Sequence, residues 1–271
     1  MTCVRAAPAT LIKSIIEQRS LAFNPYPDNV TYPTNGAANR QARQFAAVPI
    51  LAGTDAQEGR VFQYGQTNLT AYLVNNFGAT TPQIIPTVQA NFPIGTTIGT
   101  NTSYDVISAI HTLAAFQCGA GLFMNETAAQ GVPTWRYFYD AQFPNTSPLN
   151  GTLGIYHSSE IVIAFGTYSG GPVNPVTSAP SGLLPTNLQP TAQQAALSSY
   201  MNTAWATFAK NPYAGPGWNR LGTFAGQDVG VLGTAGSSGV TVRTANDIGD
   251  AKCQQFLPAF RFTQGPVYGL A

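Results

Sequence analysis

The stretch VPILAGTDAQEGRVF, residues 48–62, joins a strand-like apolar run to a turn that carries Glu58. A second stretch, GIYHSSEIVIAFG at residues 154–166, places His157 directly before another apolar run. The first run predicts a buried strand over Val48–Ala52. Functional groups in an α/β sheet lie beyond the carboxyl ends of the strands, so we expect Glu58 at the functional edge of the sheet.

Both stretches resemble the acid and histidine blocks of the type-B carboxylesterase, cholinesterase and fungal lipase family, an α/β-hydrolase group with the triad order serine, acid, histidine. The resemblance implies that Glu58 is the catalytic acid and His157 the catalytic base. Further segments match the family in the same order: CVR at 3–5, FNPYPDN at 23–29, VPTWRYFY at 132–139, AWATFAKN at 204–211 and CQQFLP at 253–258.

The serine block of the family is missing from these 271 residues. Neither a Gly-x-Ser-x-Gly elbow nor a His-Gly-Gly oxyanion stretch occurs in the sequence. The nearest mimic, AGSSG at 235–239, follows the histidine and lies in a predicted hairpin loop, which argues against Ser237 as a nucleophile. We therefore expect residues 1–271 to be the C-terminal portion of a single type-B carboxylesterase domain, inactive when isolated.

This interpretation also predicts the fold class. It is α/β, a partial α/β-hydrolase fold in which the C-terminal part of the central sheet is flanked by helices and the N-terminal half is absent. The strands that would pair with one side of Val48–Ala52 belong to that half. We therefore expect an unpaired, apolar sheet edge.

Other ionisable residues compete for the catalytic roles. Asp55 lies in the same predicted loop as Glu58, but the family motif places its acid directly before a glycine, which favours Glu58. Glu160 also matches a family position and is expected to support the site without being catalytic. His111, the second of two histidines, lies inside a predicted helix and is expected to be a packing or surface residue.

Composition narrows the functional class. Only 8% of the residues are charged, against roughly 25% in an average globular chain, and the net charge is +1. Without a cluster of lysine and arginine there is no electrostatic basis for binding nucleic acid or an anionic membrane. No metal cluster, phosphate loop or cofactor motif is present, so we expect no metal and no cofactor. The expected substrate of the full-length protein is a small-molecule or lipid ester.

The low charge and the Asn-x-Ser/Thr sequons, which are signals for N-glycosylation, favour a secreted glycoprotein. MTCVRAAPAT at residues 1–10 lacks the apolar stretch of a signal peptide, and we expect no run long enough to span a bilayer. A longer secreted precursor would reconcile these observations. The candidate glycosylation sites are Asn29, Asn68, Asn101, Asn125, Asn145 and Asn150.

Three cysteines leave one over in an oxidising compartment. The family resemblance pairs Cys118 with Cys253, and it leaves Cys3 unpaired because its family partner would precede Met1. The alternative is a free cysteine that packs as a small hydrophobic side chain.

Periodicity and turn residues predict the remaining elements. Thr191 and Gln194 have the spacing of a capping box. The predicted elements are helices over Ala7–Arg19, Ser103–Cys118 and from Thr191 to Asn211, a strand over Trp135–Ala141, a hairpin of Val229–Leu232 with Val240–Val242, and a surface loop over Gly170–Pro190.

Two other functional classes remain open. One is a non-catalytic, cholinesterase-like binding module, and the other is a gene remnant without function. The presence of both Glu58 and His157 favours the enzyme, because a binding module has no chemical reason to retain both.

Overall fold

The computed structural model describes residues 5–19, 21, 23, 26, 28–33, 35–79, 81–95, 101–170, 189–223 and 226–262. A mixed sheet is flanked by helices on both faces. The helices are α1 Ala9–Gln18, α2 Gly36–Gln41, α3 Gly59–Phe62, α4 Leu69–Phe77, α5 Ile85–Asn91, α6 Ser103–Ala129, α7 Ile161–Ala164, α8 Ala192–Lys210 and α9 Leu257–Phe262, and the strands are β1 Ile50–Asp55, β2 Thr134–Tyr139, β3 Gln227–Leu232 and β4 Val240–Thr244.

The sheet has the strand order β1-β2-β3-β4. Strands β1, β2 and β3 are parallel, and β4 is antiparallel to β3, which confirms the predicted hairpin. Asp55 lies opposite Tyr139, so the carboxyl ends of β1 and β2 meet at one edge. Within the described residues β1 pairs only with β2, which agrees with the expected open edge.

Side chains alternate across β2. Trp135, Tyr137 and Tyr139 face α8, as expected from the alternating aromatic residues of the sequence. Phe138, on the other face, packs against β3. Burial against α8 excludes water from the centre of the sheet, and the buried apolar side chains of α8 are Leu197, Met201 and Ala204.

Several predicted boundaries were wrong. The helix predicted over Ala7–Arg19 covers Ala9–Gln18, and the strand predicted over Trp135–Ala141 covers Thr134–Tyr139. The first strand covers Ile50–Asp55 and not Val48–Ala52, so Asp55 ends the strand instead of lying in the loop. Helix α8 begins after the N-cap Thr191, whose Oγ1 accepts the N–H of Gln194 at 3.0 Å. The reciprocal half of the capping box is not formed, because the amide of Gln194 has no partner among the described residues.

Helix α6 extends beyond the predicted end at Cys118. Its middle turn, Thr112–Gln117, is π-helical. Gly121 lowers the intrinsic helix propensity, but a side chain there would lie 3.2–3.4 Å from Arg136 and Asp250, so packing outweighs propensity. The 27-residue helix is long and apolar enough to cross a bilayer, contrary to expectation, yet 61% of its most apolar window is buried in the fold.

A disulfide joins Cys118 of α6 to Cys253, as the family resemblance implied. It ties α6 to the 3₁₀ segment Asp250–Phe256, whose Phe256 is fully buried among α4, α5 and α6. Cys3 and most of the predicted surface loop, residues 171–188, lie outside the described residues.

A buried ion pair crosses the same region. Arg136 of β2 is 1% exposed and binds Asp250 with both terminal nitrogens, at 2.5 and 3.0 Å. Gln117 of the π-helical turn donates to Asp250 Oδ1 and to the carbonyl of Ile248, both at 2.8 Å. One carboxylate therefore joins the sheet, α6 and the segment after β4.

We expect Asp250→Ala to lower the free energy of unfolding by about 3–5 kcal/mol, because the substitution leaves the Arg136 guanidinium buried without its counter-charge. Urea denaturation measures this loss. The matched control is Glu17→Ala, which breaks the exposed pair with Lys13 and should cost less than about 1 kcal/mol. Equal effects of the two substitutions would contradict the assigned role of the buried pair.

Candidate active site

Glu58 and His157 meet at the carboxyl edge of the sheet. Glu58 Oε2 lies 2.6 Å from His157 Nδ1, although the residues are 99 positions apart in the sequence. The Glu58 carboxylate is buried and the His157 side chain is 43% exposed. The structure thus brings together the two residues that the sequence singled out, in the geometry of an acid that orients a histidine.

The acid is held by the turn between β1 and α3. The backbone N–H of Asp55 donates to Glu58 Oε1 at 2.8 Å, and the N–H of Gly59 donates to Thr112 Oγ1 at 2.9 Å. A Cβ on Gly59 would lie 2.3 Å from the carbonyl oxygen of Ser108. The glycine after the acid is therefore required, because only it lets this turn lie against α6.

The histidine loop is joined to that turn by two hydrogen bonds between Gln57 and Ile155. The N–H of Gln57 donates to the carbonyl of Ile155 at 3.0 Å, and the N–H of Ile155 donates to Gln57 Oε1 at 2.9 Å. Gly154 has φ of +59°, and a Cβ there would overlap Gln57 Oε1. Ser158 also adopts a positive φ, +74°, so the backbone around His157 is tightly constrained.

Two aromatic rings line the imidazole. The ring centroids of Phe62 and Phe116 lie 5.2 and 5.0 Å from that of His157, and the two phenyl rings stack at 5.5 Å. Phe62 is 45% exposed. Neither ring was expected at the site. Phe116 was missed because it belongs to the π-helical turn, whose altered register has no clear signature in the sequence.

Two further carboxyl groups lie beside the pair. They belong to Asp55, which is 1% exposed, and to Glu160, three residues after His157. Burial raises the pKa of Asp55 well above its usual range, and the charges of Glu160 and Glu58 raise it further. Glu160 therefore lies beside the pair, where a supporting residue was expected. Asp55 lies there too, and within the described residues no hydrogen bond joins its side chain to the imidazole.

His111 is a packing residue, one of the two roles expected for it. Its Nδ1 lies 3.0 Å from the hydroxyl of Tyr72 and 3.2 Å from Nε2 of Gln63, and only 1% of its surface is exposed. Burial lowers the pKa of His111 to about 4, so the ring is neutral at ordinary pH.

The pKa of His157 is raised above its ordinary value. The main cause is the hydrogen bond to Glu58, and the negative charges of Glu58 and Glu160 add to it, whereas burial acts in the opposite direction. The protonated imidazole is therefore the form that this environment stabilises, as a general base requires once it has accepted a proton.

The candidate glycosylation sites differ in accessibility. Asn145 is 4% exposed and its Nδ2 donates to the carbonyl of Tyr168 at 3.2 Å, which argues against a glycan at this amide. The side chain of Asn150 is outside the described part of the chain. Four sites are exposed: Asn29, Asn68, Asn101 and Asn125.

Among the described residues, no group of three or more His, Cys, Asp or Glu is placed to hold a metal ion.

The fold with this site is part of an α/β-hydrolase fold. A solved structure of a PNB esterase matches 93% of this chain and 48% of its own, with a TM-score of 0.61 and 20% sequence identity. Secreted lipase 5 of Gibberella zeae is 25% identical over 240 residues, which are 81% of this chain and 36% of the lipase. No protein-family model matches the chain.

These two similarities support a relationship with esterases and lipases of the α/β-hydrolase class. The chain spans about a third of the lipase and about half of the esterase.

We expect the imidazole of His157 to titrate above about 6.5, the usual value for histidine, and Glu58→Gln to lower that pKa. A raised pKa contributes stability that is complete below about pH 6.5 and is lost as the pH rises through the folded-state pKa. NMR titration of the imidazole carbons measures the shift. An unchanged pKa in Glu58→Gln would contradict the assigned cause.

We expect acidification from about pH 6.5 to about 4 to destabilise the protein through His111. The unfolded chain binds a proton over this range while the buried ring does not, at a cost on the order of 3 kcal/mol. Urea denaturation at several pH values, compared with His111→Phe, isolates this contribution. An identical pH dependence in both proteins would contradict it.

Proposed function

We propose that Glu58 and His157 are the acid and the base of a serine carboxylic ester hydrolase of the carboxylesterase and lipase type. The observation that carries this proposal is the 2.6 Å hydrogen bond between a buried carboxylate and a half-exposed imidazole at the carboxyl edge of the sheet. This edge is where α/β folds place their functional groups.

The chemistry follows from the two ring nitrogens. Glu58 accepts the Nδ1 proton of His157, which fixes the tautomer and leaves Nε2 free to take a proton from an attacking hydroxyl. The imidazolium that forms is stabilised by the Glu58 carboxylate until it returns the proton to the leaving alcohol.

The hydroxyl nucleophile and the oxyanion donors belong, in this proposal, to polypeptide outside residues 1–271. The sequence has no Gly-x-Ser-x-Gly segment, and the chain spans only 48% of the esterase and 36% of the lipase. The chain is thus the C-terminal portion of a single type-B carboxylesterase domain. Because loss of a serine nucleophile costs on the order of 10⁶ in turnover, the isolated chain has no esterase activity above background.

The substrate is a carboxylic ester of a small molecule or lipid. Phe62 and Phe116 provide an apolar surface next to the imidazole, suited to an acyl chain or an apolar alcohol. Secretion of the full-length protein is supported by the similarity to a secreted lipase, by the Cys118–Cys253 disulfide and by the four exposed sequons. Those four asparagines are the proposed glycan acceptors, and Cys3 is the proposed unpaired cysteine.

The test uses the chain co-expressed with the polypeptide encoded upstream of Met1 in the same reading frame. We expect a fluorophosphonate probe to label a serine in the upstream polypeptide, and p-nitrophenyl esters to be hydrolysed only by the complex. His157→Gln should lower kcat by at least about 10³-fold and Glu58→Gln by about 10²–10⁴-fold. Glu126→Gln is the matched control, because Glu126 pairs with Arg40 away from the site, and it should change kcat less than about twofold.

Four outcomes would contradict parts of this proposal. Hydrolysis by residues 1–271 alone, abolished by His157→Ala, would show that the nucleophile is within the chain. Probe labelling and turnover unaffected by Glu58→Gln and His157→Gln would remove the pair from the chemistry. An upstream frame without a serine elbow would favour the binding module, and a stop codon there would favour the gene remnant.

A further inference from the structure

Two buried carboxyl oxygens beside the active site lack a hydrogen-bond donor among the described residues. They are Oδ1 of Asp55 and Oε2 of Glu160. The other Asp55 oxygen, Oδ2, accepts a long bond of 3.4 Å from the hydroxyl of Ser159. A hydrogen bond from the backbone of Ser159 lowers the pKa of Asp55, but burial and the neighbouring carboxyl groups outweigh it. Unpaired buried polar atoms of this kind are rare in folded proteins, because each one costs the free energy of its lost hydration.

Glu160 raises the pKa of Asp55 through its charge and through a hydrogen bond between the two side chains, and each residue contributes one of the unpaired oxygens. Two carboxylates in contact repel each other, and neither has a proton to donate. A single proton between them removes the repulsion and supplies the donor that each oxygen lacks. The same arrangement of two acids with one proton occurs in other proteins where like charges are held this close.

We infer that Asp55 and Glu160 share one proton, and that this carboxyl–carboxylate hydrogen bond, together with the Gln57–Ile155 bonds, positions His157 opposite Glu58. The inference deepens the proposed function and rests on it, since it assigns positioning residues to the same acid and base.

Asp55 is suited to this role because it contacts both partners. Its backbone N–H donates to Glu58 Oε1 at 2.8 Å, which orients the acid. Its side chain reaches Glu160, three residues after His157 at the start of α7. One residue at the end of β1 therefore holds the carboxylate with its backbone and the histidine loop with its side chain.

The charges around the pair also favour the shared proton. The titratable groups that face it come from β1 (Asp55), the acid turn (Glu58), β2 (Tyr137 and Tyr139) and the histidine loop (Tyr156, His157 and Glu160). Burial raises the pKa of all three tyrosines, so they stay neutral. Without the shared proton, three carboxylates would surround one imidazole. With it, two negative charges remain.

Infrared spectroscopy of the chain at neutral pH tests the proton directly. We expect a C=O stretching band of a protonated carboxyl group, shifted by ¹³C labelling of aspartate side chains and absent in Asp55→Asn. The matched control is Asp228→Asn, which removes another buried aspartate whose carboxylate accepts the N–H of Gly222 at 2.9 Å. That variant should keep the band. Absence of the band in the unmodified chain, or its persistence in Asp55→Asn, would overturn the inference.

Proton NMR tests the positioning role. We expect the downfield signal of the His157 Nδ1 proton to persist in Asp55→Asn, whose amide can donate to Glu160, and to broaden or disappear in Asp55→Leu, which cannot. Equal signals in all three proteins would overturn the positioning role. If the chain requires its upstream polypeptide to remain in solution, both measurements are made on that complex. Neither measurement uses ester hydrolysis, so an inactive complex with the infrared band would refute the proposed function alone.

Discussion

The parallel pairing of β1 with β2 is the constraint on which the site depends. It sets Asp55 beside Tyr139, so the turn after β1 and the loops after β2 leave the sheet at the same edge. The reciprocal bonds between Gln57 and Ile155 then join the two segments. The short distance between Glu58 and His157 follows from this pairing, since the sheet fixes where both loops begin.

Few charges are present in this protein, and several of them are buried in specific places. Arg136 and Asp250 form a structural pair beneath α6, whereas Glu58, Asp55 and Glu160 surround a single imidazole. Electrostatic interactions are stronger in such water-poor surroundings, so the few charges can both hold the fold and set the protonation of His157. Because the surface consists mainly of uncharged polar residues, few distant charges weaken or strengthen these buried interactions.

Much of the fold could be predicted from local signals, since alternating aromatic residues identified β2. Glu58 and His157 were singled out by the family resemblance of the Glu-Gly turn and of the segment around His157, and local pattern alone would not have chosen them. The link between Asp55 and Glu160 was not predictable, because it depends on a register that assigns Asp55 to the end of β1. Phe116 was missed since a π-helical turn changes which side chains face the site. The extension of α6 past Cys118 depends on the close approach of Arg136 to Gly121, a tertiary contact that no local pattern reports.

The outer side of β1 has a consequence for how the molecule behaves at high concentration. Natural edge strands are commonly protected by lysine, proline or a bulge. In β1, Ile50–Asp55, there is no lysine or proline, Pro49 lies just before the strand, and the one ionisable side chain, Asp55, is buried. A row of backbone donors and acceptors with such neighbours is a template for any extended peptide, including β1 of a second molecule. Self-association of the protein at high concentration therefore depends on whether another strand already pairs with this edge.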